Sequence, residues 1–109
     1  MKAMVLRETS PIEKEPLKME TWPEPVPRSK EILIQVTVCG ICHTELDEIE
    51  GRLSPKLPVI LGHQVIGRVT EVGPMVQRFK RGDRVGVAWI YSACGTCDFC
   101  QEGDENLCL

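Results

Sequence analysis

Four of the six cysteines crowd the last sixteen residues, spaced Cys94-x2-Cys97-x2-Cys100-x7-Cys108. Four thiolates that can turn toward one centre are what a tetrahedral zinc ion takes, each at about 2.3 Å from the metal. Gly95 follows the first cysteine and Gly103 sits in the longer spacer, so the backbone has residues free to take the positive φ values such knuckles use. Apparent binding energies of about 10 to 16 kcal/mol for structural zinc rival the roughly 5 to 15 kcal/mol net stability of a domain, so a bound ion would hold this lobe folded. Two alternatives stay open on these residues alone. Two disulfides would use the same thiols, although a reducing cytosol works against them. An iron–sulfur cluster is also served by successive CxxC steps, but the bacterial ferredoxin run closes with a three-residue spacer and a Pro. Here the last spacer is seven residues and Leu109 follows.

A second group of donors lies earlier. Cys39 and Cys42 form a further CxxC, Cys42-His43-Thr44 opens a short helical pattern, and Gly62-His63-Gln64 precedes a strand pattern some twenty residues on. A Cys and a His joined from separate elements supply an incomplete coordination sphere, which is what a catalytic zinc uses: three protein ligands and one open position. Buried Cys and backbone-bonded His residues also occur in ordinary cores, and burial tendencies alone do not separate the two readings.

The elements that must position these side chains are short. Five of the eight prolines fall within the first thirty residues, and Trp22 to Pro27 predicts an extended or looping arm. From Glu31, Ile32, Ile34, Val36 and Val38 alternate with Leu33, Gln35 and Thr37, the period of a strand with one face more apolar than the other. A helix of about two turns is predicted to start at Thr44, with Leu46 and Ile49 on one face, Asp47 placed to cap it from the third position, and Gly51 ending it. Val65 to Val72 reads as a strand in which Gly67 marks a bulge or a close backbone approach, and Gly73-Pro74 turns it. A Gly82-Asp83 turn leads to a last strand over Val85 to Ile90. Short strands with Gly and Pro punctuation and one short helix predict a mostly β, barrel-like body.

The chain's 109 residues suit one modest domain, 1–109, with the cysteine lobe at 89–109, and leave no room for a separate cofactor domain. Thirteen Lys and Arg against sixteen Asp and Glu give a net charge of −3, so the chain has no electrostatic footprint for nucleic acid or an anionic membrane. The longest apolar stretches are far too short to span a bilayer, and Met1 to Arg7 lacks the apolar run of a secretion signal, so the expected compartment is the cytoplasm. No GxGxxG occurs, so phosphate cradling by a dinucleotide-binding turn has no residues here.

Taken together, CGICHTELD at 39–47, GHQVIGRVTEVGPMV at 62–76, GDRVGV at 82–87 and the four-cysteine lobe resemble the N-terminal catalytic region of the zinc-dependent medium-chain alcohol dehydrogenases. The resemblance spans essentially the whole chain. It implies a GroES-like barrel carrying a zinc lobe, joined in the parent protein to a Rossmann domain that binds NAD or NADP. It implies that Cys42 and His63 are catalytic zinc ligands, that a third ligand comes from chain beyond Leu109, and that Cys39 is a bystander. Cys94, Cys97, Cys100 and Cys108 match the structural zinc ligands. Thr44 matches the hydroxyl that takes the proton of the alcohol, and His43 a residue that meets the cofactor pyrophosphate. Trp89 and Leu53 match positions lining the alcohol pocket.

Glu45 matches an acidic residue that orients the histidine ligand through its other ring nitrogen. Two positions depart from the pattern. Asp47 stands where many members carry a relay His, and a carboxylate with a pKa near 4 shuttles protons weakly at neutral pH, so the expected relay skips it. Gln64 replaces the usual Glu and leaves the metal's surroundings more positive. The implied parent is an oxidoreductase, a dimeric or tetrameric homo-oligomer that converts a small alcohol to an aldehyde or ketone by hydride transfer. The 109-residue chain alone, short of one ligand and of the cofactor domain, is expected to be inactive. The competing class is a non-catalytic zinc-binding GroES-like module used for protein interaction, which would have no need of an open Cys–His site beside a hydroxyl.

Overall fold

A computed structural model describes residues 1–108. The first pair of strands is one that the proline count conceals. β1 (Lys2–Leu6) runs antiparallel to β2 (Leu17–Thr21), with Lys2 opposite Thr21 and Leu6 opposite Leu17. The looping arm expected over the first thirty residues is thus confined to the connection, which holds a 3-10 turn at Ile12–Lys14, and to the stretch after Thr21. Prolines 11 and 16 stop the chain just outside the paired residues, where no ladder N–H is needed. The Arg7 guanidinium donates to both carboxylate oxygens of Glu20 at 2.8 Å, and the Met1 amino group donates to the Trp22 carbonyl at 2.7 Å. Val5 and Leu6 are completely buried, so β1 supplies much of the small core, with Ile49 and Val69.

The second sheet has the order β3-β4-β5, all antiparallel: β3 (Ile32–Cys39), β4 (Val65–Val72) and β5 (Arg84–Val87). The alternating residues of β3 and the Val65–Val72 run form strands at the expected bounds. Gly67 serves both purposes read for it. The β3–β4 register shifts around Val36, which faces Gly67, and a Cβ at 67 would collide with the Gln35 carbonyl oxygen and the Ile34 side chain. The last strand ends at Val87 rather than Ile90, so Trp89 lies beyond it and stands 73% exposed. Val36 and Val38, expected on the more apolar face, are 54% and 55% exposed. They flank a register shift in the β3–β4 ladder, and Val36 lines an open cleft instead of a packed core.

An isolated antiparallel bridge ties β1 to the segment that precedes β4: Leu6 and Val59 exchange N–H to carbonyl bonds of 2.9 and 3.0 Å. Between the sheets runs an open cleft of about 780 Å³ whose lining includes Met4, Leu33, Ile34, Val36 and Ile60. The helix α1 (His43–Ile49) has the expected length, and Gly51, at φ 78°, follows its end in the left-handed region. Its start differs from the expectation. Cys42, not Thr44, is the N-cap, and Glu45 rather than Asp47 reaches back to it, with Oε2 accepting the Cys42 N–H at 2.7 Å. The sequence spacing fits both frames; Cys42 wins because β3 ends three residues earlier and the chain is still extended at Cys42. In the lobe, α2 (Asp98–Glu102) is a single turn of helix that the cysteine spacing hid, capped by Cys97 and ended by Gly103 at φ 91°. None of the helices described is long and apolar enough to cross a membrane.

Candidate metal centres

Register brings the first donor pair together. Cys39 faces Val65 at the end of the β3–β4 ladder, and the Gly40 N–H continues it by donating to the Gln64 carbonyl at 2.9 Å. The residues that leave β3 and those that enter β4 are therefore neighbours, and Cys42 and His63 converge although 21 positions separate them. Cys42 Sγ lies 3.3 Å from His63 Nε2. Two donors of a tetrahedral zinc, at about 2.3 Å for sulfur and 2.0 to 2.1 Å for nitrogen, lie roughly 3.6 Å apart, so the pair fits one metal with little movement. Gly62, at φ 123°, lets the chain pass under Cys39; a Cβ there would sit 2.6 Å from Cys39 Sγ.

The far side of the imidazole is held by Glu45. Its Oε1 lies 2.8 Å from His63 Nδ1 and is fully buried with no other hydrogen-bond partner, so the ring proton is needed on Nδ1 to satisfy it. That leaves Nε2 with a lone pair facing Cys42, as a metal ligand requires. Burial resists ionisation of Glu45, but the Cys42 and Glu45 backbone N–H groups, the Cys42 side chain and the nearby His63 outweigh it and hold the carboxyl below its usual range. Cys42, Glu45 and His63 offer donor atoms within 4.8 Å of one another. Glu45 is engaged on the ring nitrogen opposite Cys42, which makes it the group that orients His63 rather than a third ligand.

Around this pair the other candidate residues take distinct places. Thr44 is half-buried in the first turn of α1, and His43 is exposed beside it. His43 Nδ1 lies 3.0 Å from Asp47 Oδ2, and the Arg52 guanidinium donates to the other oxygen of Asp47 and, at 2.8 Å, to Glu50. Asp47 therefore does not cap α1. It is a side-chain anchor, held below the usual carboxylate range first by Arg52 and then by His43. Its four-residue spacing from His43 carried that signal in the sequence; the part of Arg52, beyond the helix-ending glycine, had none. Gln64 is exposed and folds over Gly40, where an added Cβ would lie 2.5 Å from its Oε1. Trp89 and Leu53, 73% and 47% exposed, lie outside the lining of the inter-sheet cleft and of a second, mostly apolar groove of about 460 Å³ beside α1.

In the lobe, the Sγ atoms of Cys94, Cys97, Cys100 and Cys108 all lie within 4.8 Å of one another, and Cys94 and Cys100 are 3.9 Å apart. Sulfurs at the corners of a tetrahedral zinc site stand about 3.8 Å apart, so the quartet fits the ion. Gly95 takes φ 74° and Gly103 φ 91°, as the knuckle reading expects. The sulfurs are not equivalent. The Thr96 hydroxyl, the Thr96 N–H and the Cys97 N–H all donate to Cys94 Sγ, and together with the Cys97 side chain they bring its thiol down to about 5. The Gly95 N–H favours a thiolate at Cys100, yet burial and the sulfurs of Cys97, Cys108 and Cys94 push that thiol up to about 12. The contribution of Thr96 was missed in the sequence, where the residue is only a CxxC spacer.

Comparison with known proteins agrees with this geometry. Residues 28–109 match the alcohol dehydrogenase GroES-like domain. The chain is 44% identical over 110 residues to an alcohol dehydrogenase of Geobacillus stearothermophilus and 43% identical over 114 residues to the probable alcohol dehydrogenase AdhA of Mycobacterium tuberculosis; each match covers 99% of this chain and 32% or 33% of the relative. Among solved structures, AibC superposes over all of the chain and 30% of its own length, with a TM-score of 0.90 at 40% identity. An NAD-dependent alcohol dehydrogenase superposes over 99% of this chain and 31% of its own, with a TM-score of 0.82 at 34% identity. The chain thus spans about a third of the length of the relatives it matches. With the match covering most of its residues and both donor sets in place, the chain belongs to the alcohol dehydrogenase GroES-like domain family.

Proposed function

We propose that the chain is the metal-bearing N-terminal part of a zinc-dependent alcohol dehydrogenase that oxidises a small alcohol to an aldehyde or ketone by hydride transfer to NAD or NADP. The observation that carries this reading is the Cys42–His63 pair, 3.3 Å apart, with Glu45 on the opposite ring nitrogen. A protein-interaction module would need the lobe but has no use for an oriented, incomplete donor set. Cys94, Cys97, Cys100 and Cys108 would hold one zinc ion closed from substrate, and Cys42, His63 and a ligand from elsewhere in the parent would hold the other. At that second site zinc supplies Lewis acidity that makes an alcohol hydroxyl easier to deprotonate.

The protein's own groups do the rest. Glu45 keeps the His63 proton on Nδ1. Thr44, in the first turn of α1 after the ligand Cys42, takes the proton of the substrate hydroxyl. His43, fixed by Asp47 and turned to solvent, meets the cofactor phosphates, while Trp89 and Leu53 border the alcohol. The nicotinamide is bound by a separate Rossmann domain, and the parent works in the cytoplasm as a homo-oligomer. Metal analysis of the 109-residue chain tests the reading: one tightly held zinc per chain and a second held weakly and lost in His63→Ala, with no turnover of alcohol and NAD or NADP. Two equally tight ions, or none in the lobe, would overturn it.

A further inference from the structure

We propose that Thr96 and Gln101 set how firmly the cysteine lobe holds its metal, by acting through the Cys94 sulfur. The proposal rests on reading the lobe as a zinc site. Two of the three N–H and O–H donors on Cys94 Sγ, the N–H groups of Thr96 and Cys97 at 3.4 and 3.3 Å, come from the backbone and would be supplied by most residues in this spacer. The third does not. The Thr96 hydroxyl, 3.5 Å from Cys94 Sγ, is a donor that only Ser or Thr places there.

Gln101 acts on the same sulfur from α2. Its Nε2 donates to the Thr96 carbonyl at 3.1 Å. That carbonyl belongs to the peptide unit whose N–H, on Cys97, donates to Cys94 Sγ. A hydrogen bond accepted at one end of a peptide polarises the N–H at the other and strengthens what it gives. Four thiolates around a divalent ion leave an excess of two negative charges, and charge-assisted donors at the sulfur disperse that excess. Thr96 and Gln101 are both exposed, so neither owes its place to core packing. Their side chains are spent on the sulfur and on the peptide that serves it.

The test uses the 109-residue chain, loaded with Co²⁺ to read the sulfur-to-metal charge-transfer band and with Zn²⁺ to measure affinity against a chelator. Thr96→Val should weaken zinc retention by about three- to tenfold, in line with the loss of one hydrogen bond to a ligand. It should also move the cobalt band to lower energy, because a sulfur relieved of a donor gives up charge more readily. Thr96→Ser should restore both, and Gln101→Leu should shift both in the same direction by a smaller factor, about two- to threefold. A lost contact that only loosened the lobe would weaken retention without moving the band. Thr96→Val within twofold of the parent with an unmoved band, or Thr96→Ser behaving like Thr96→Val, would overturn the proposal. A parent chain that fails to give a four-thiolate cobalt spectrum would instead overturn the zinc reading of the lobe, and this proposal would fall with it.

Discussion

The two donor sets solve the same chemical problem by opposite means. The lobe draws four sulfurs from fifteen consecutive residues, through one helical turn and two left-handed glycines, and its geometry is written almost entirely in local spacing. The earlier pair draws a thiol and an imidazole from residues 21 apart, and these meet only because β3 and β4 pair in one register. A closed quartet can be assembled by the ion itself, whereas an open site cannot depend on the metal for its shape and must be held by the fold. The lobe should therefore fail when its ion is removed and survive damage to the sheet. The open pair should do the reverse.

Removing a lobe ligand should have the largest effect. Cys100→Ser leaves three sulfurs, and the tight ion, whose binding carries on the order of 10 kcal/mol or more, should be lost. Hydrogen exchange should then show residues 94–108 opened while the β3–β4–β5 amides keep their protection. Loss of protection in the sheet as well would show that the two regions fold as one unit. The complementary break is Gly67→Val, which drives a side chain into the Gln35 carbonyl and the Ile34 methyl. Strain of this kind in a packed strand costs about 3 kcal/mol or more. Thermal unfolding should move down markedly and the weak second ion should be lost, yet the four-thiolate cobalt spectrum of the lobe should persist.

How much of this was legible follows the same division. The quartet could be read from spacing alone, and β3 and β4 from their alternation, because both signals are local. The β1–β2 pair could not, since each strand is only five residues long and a proline-flanked connection separates them. The start of α1 is ambiguous in the sequence, where Thr44 and Cys42 both fit a capping frame. The choice between them was made by where β3 ends, which is a tertiary fact. Convergence of Cys42 with His63 was implied by resemblance to a family; the register that produces it is visible only in the sheet. Thr96, Gln101 and Arg52 left no readable signal, because their roles depend on a partner's atom and not on their own periodicity.

Smaller perturbations sharpen the contrast. Glu45→Gln keeps the size of the side chain but removes the charge that pairs with His63 and accepts the Cys42 N–H. The second ion should bind about 10- to 100-fold more weakly, with about 1 kcal/mol of stability lost through the weakened cap, while zinc in the lobe stays unchanged. An effect on both ions would break the separation of the two sites.

Asp47→Asn should have the smallest effect and bears on what the open site needs beyond its ligands. The His43–Asp47–Arg52 cluster lies at the surface, where such pairs contribute about 0 to 1 kcal/mol, so the melting temperature should hardly move. What should change is the proton on His43. With Asp47 ionised beside it, Nδ1 is the favoured site for the proton and Nε2 faces away; with a neutral amide in place of that carboxylate the two tautomers become closer in energy. Nitrogen-15 NMR of the imidazole reads the two ring positions separately, and a mixed population in the variant against a single Nδ1–H form in the parent is the expected result. His63 serves as the internal control. Its Nδ1 is held by the buried Glu45, so its tautomer should be indifferent to the change at 47, and a shift at His63 would show that the surface cluster and the oriented ligand are coupled through α1.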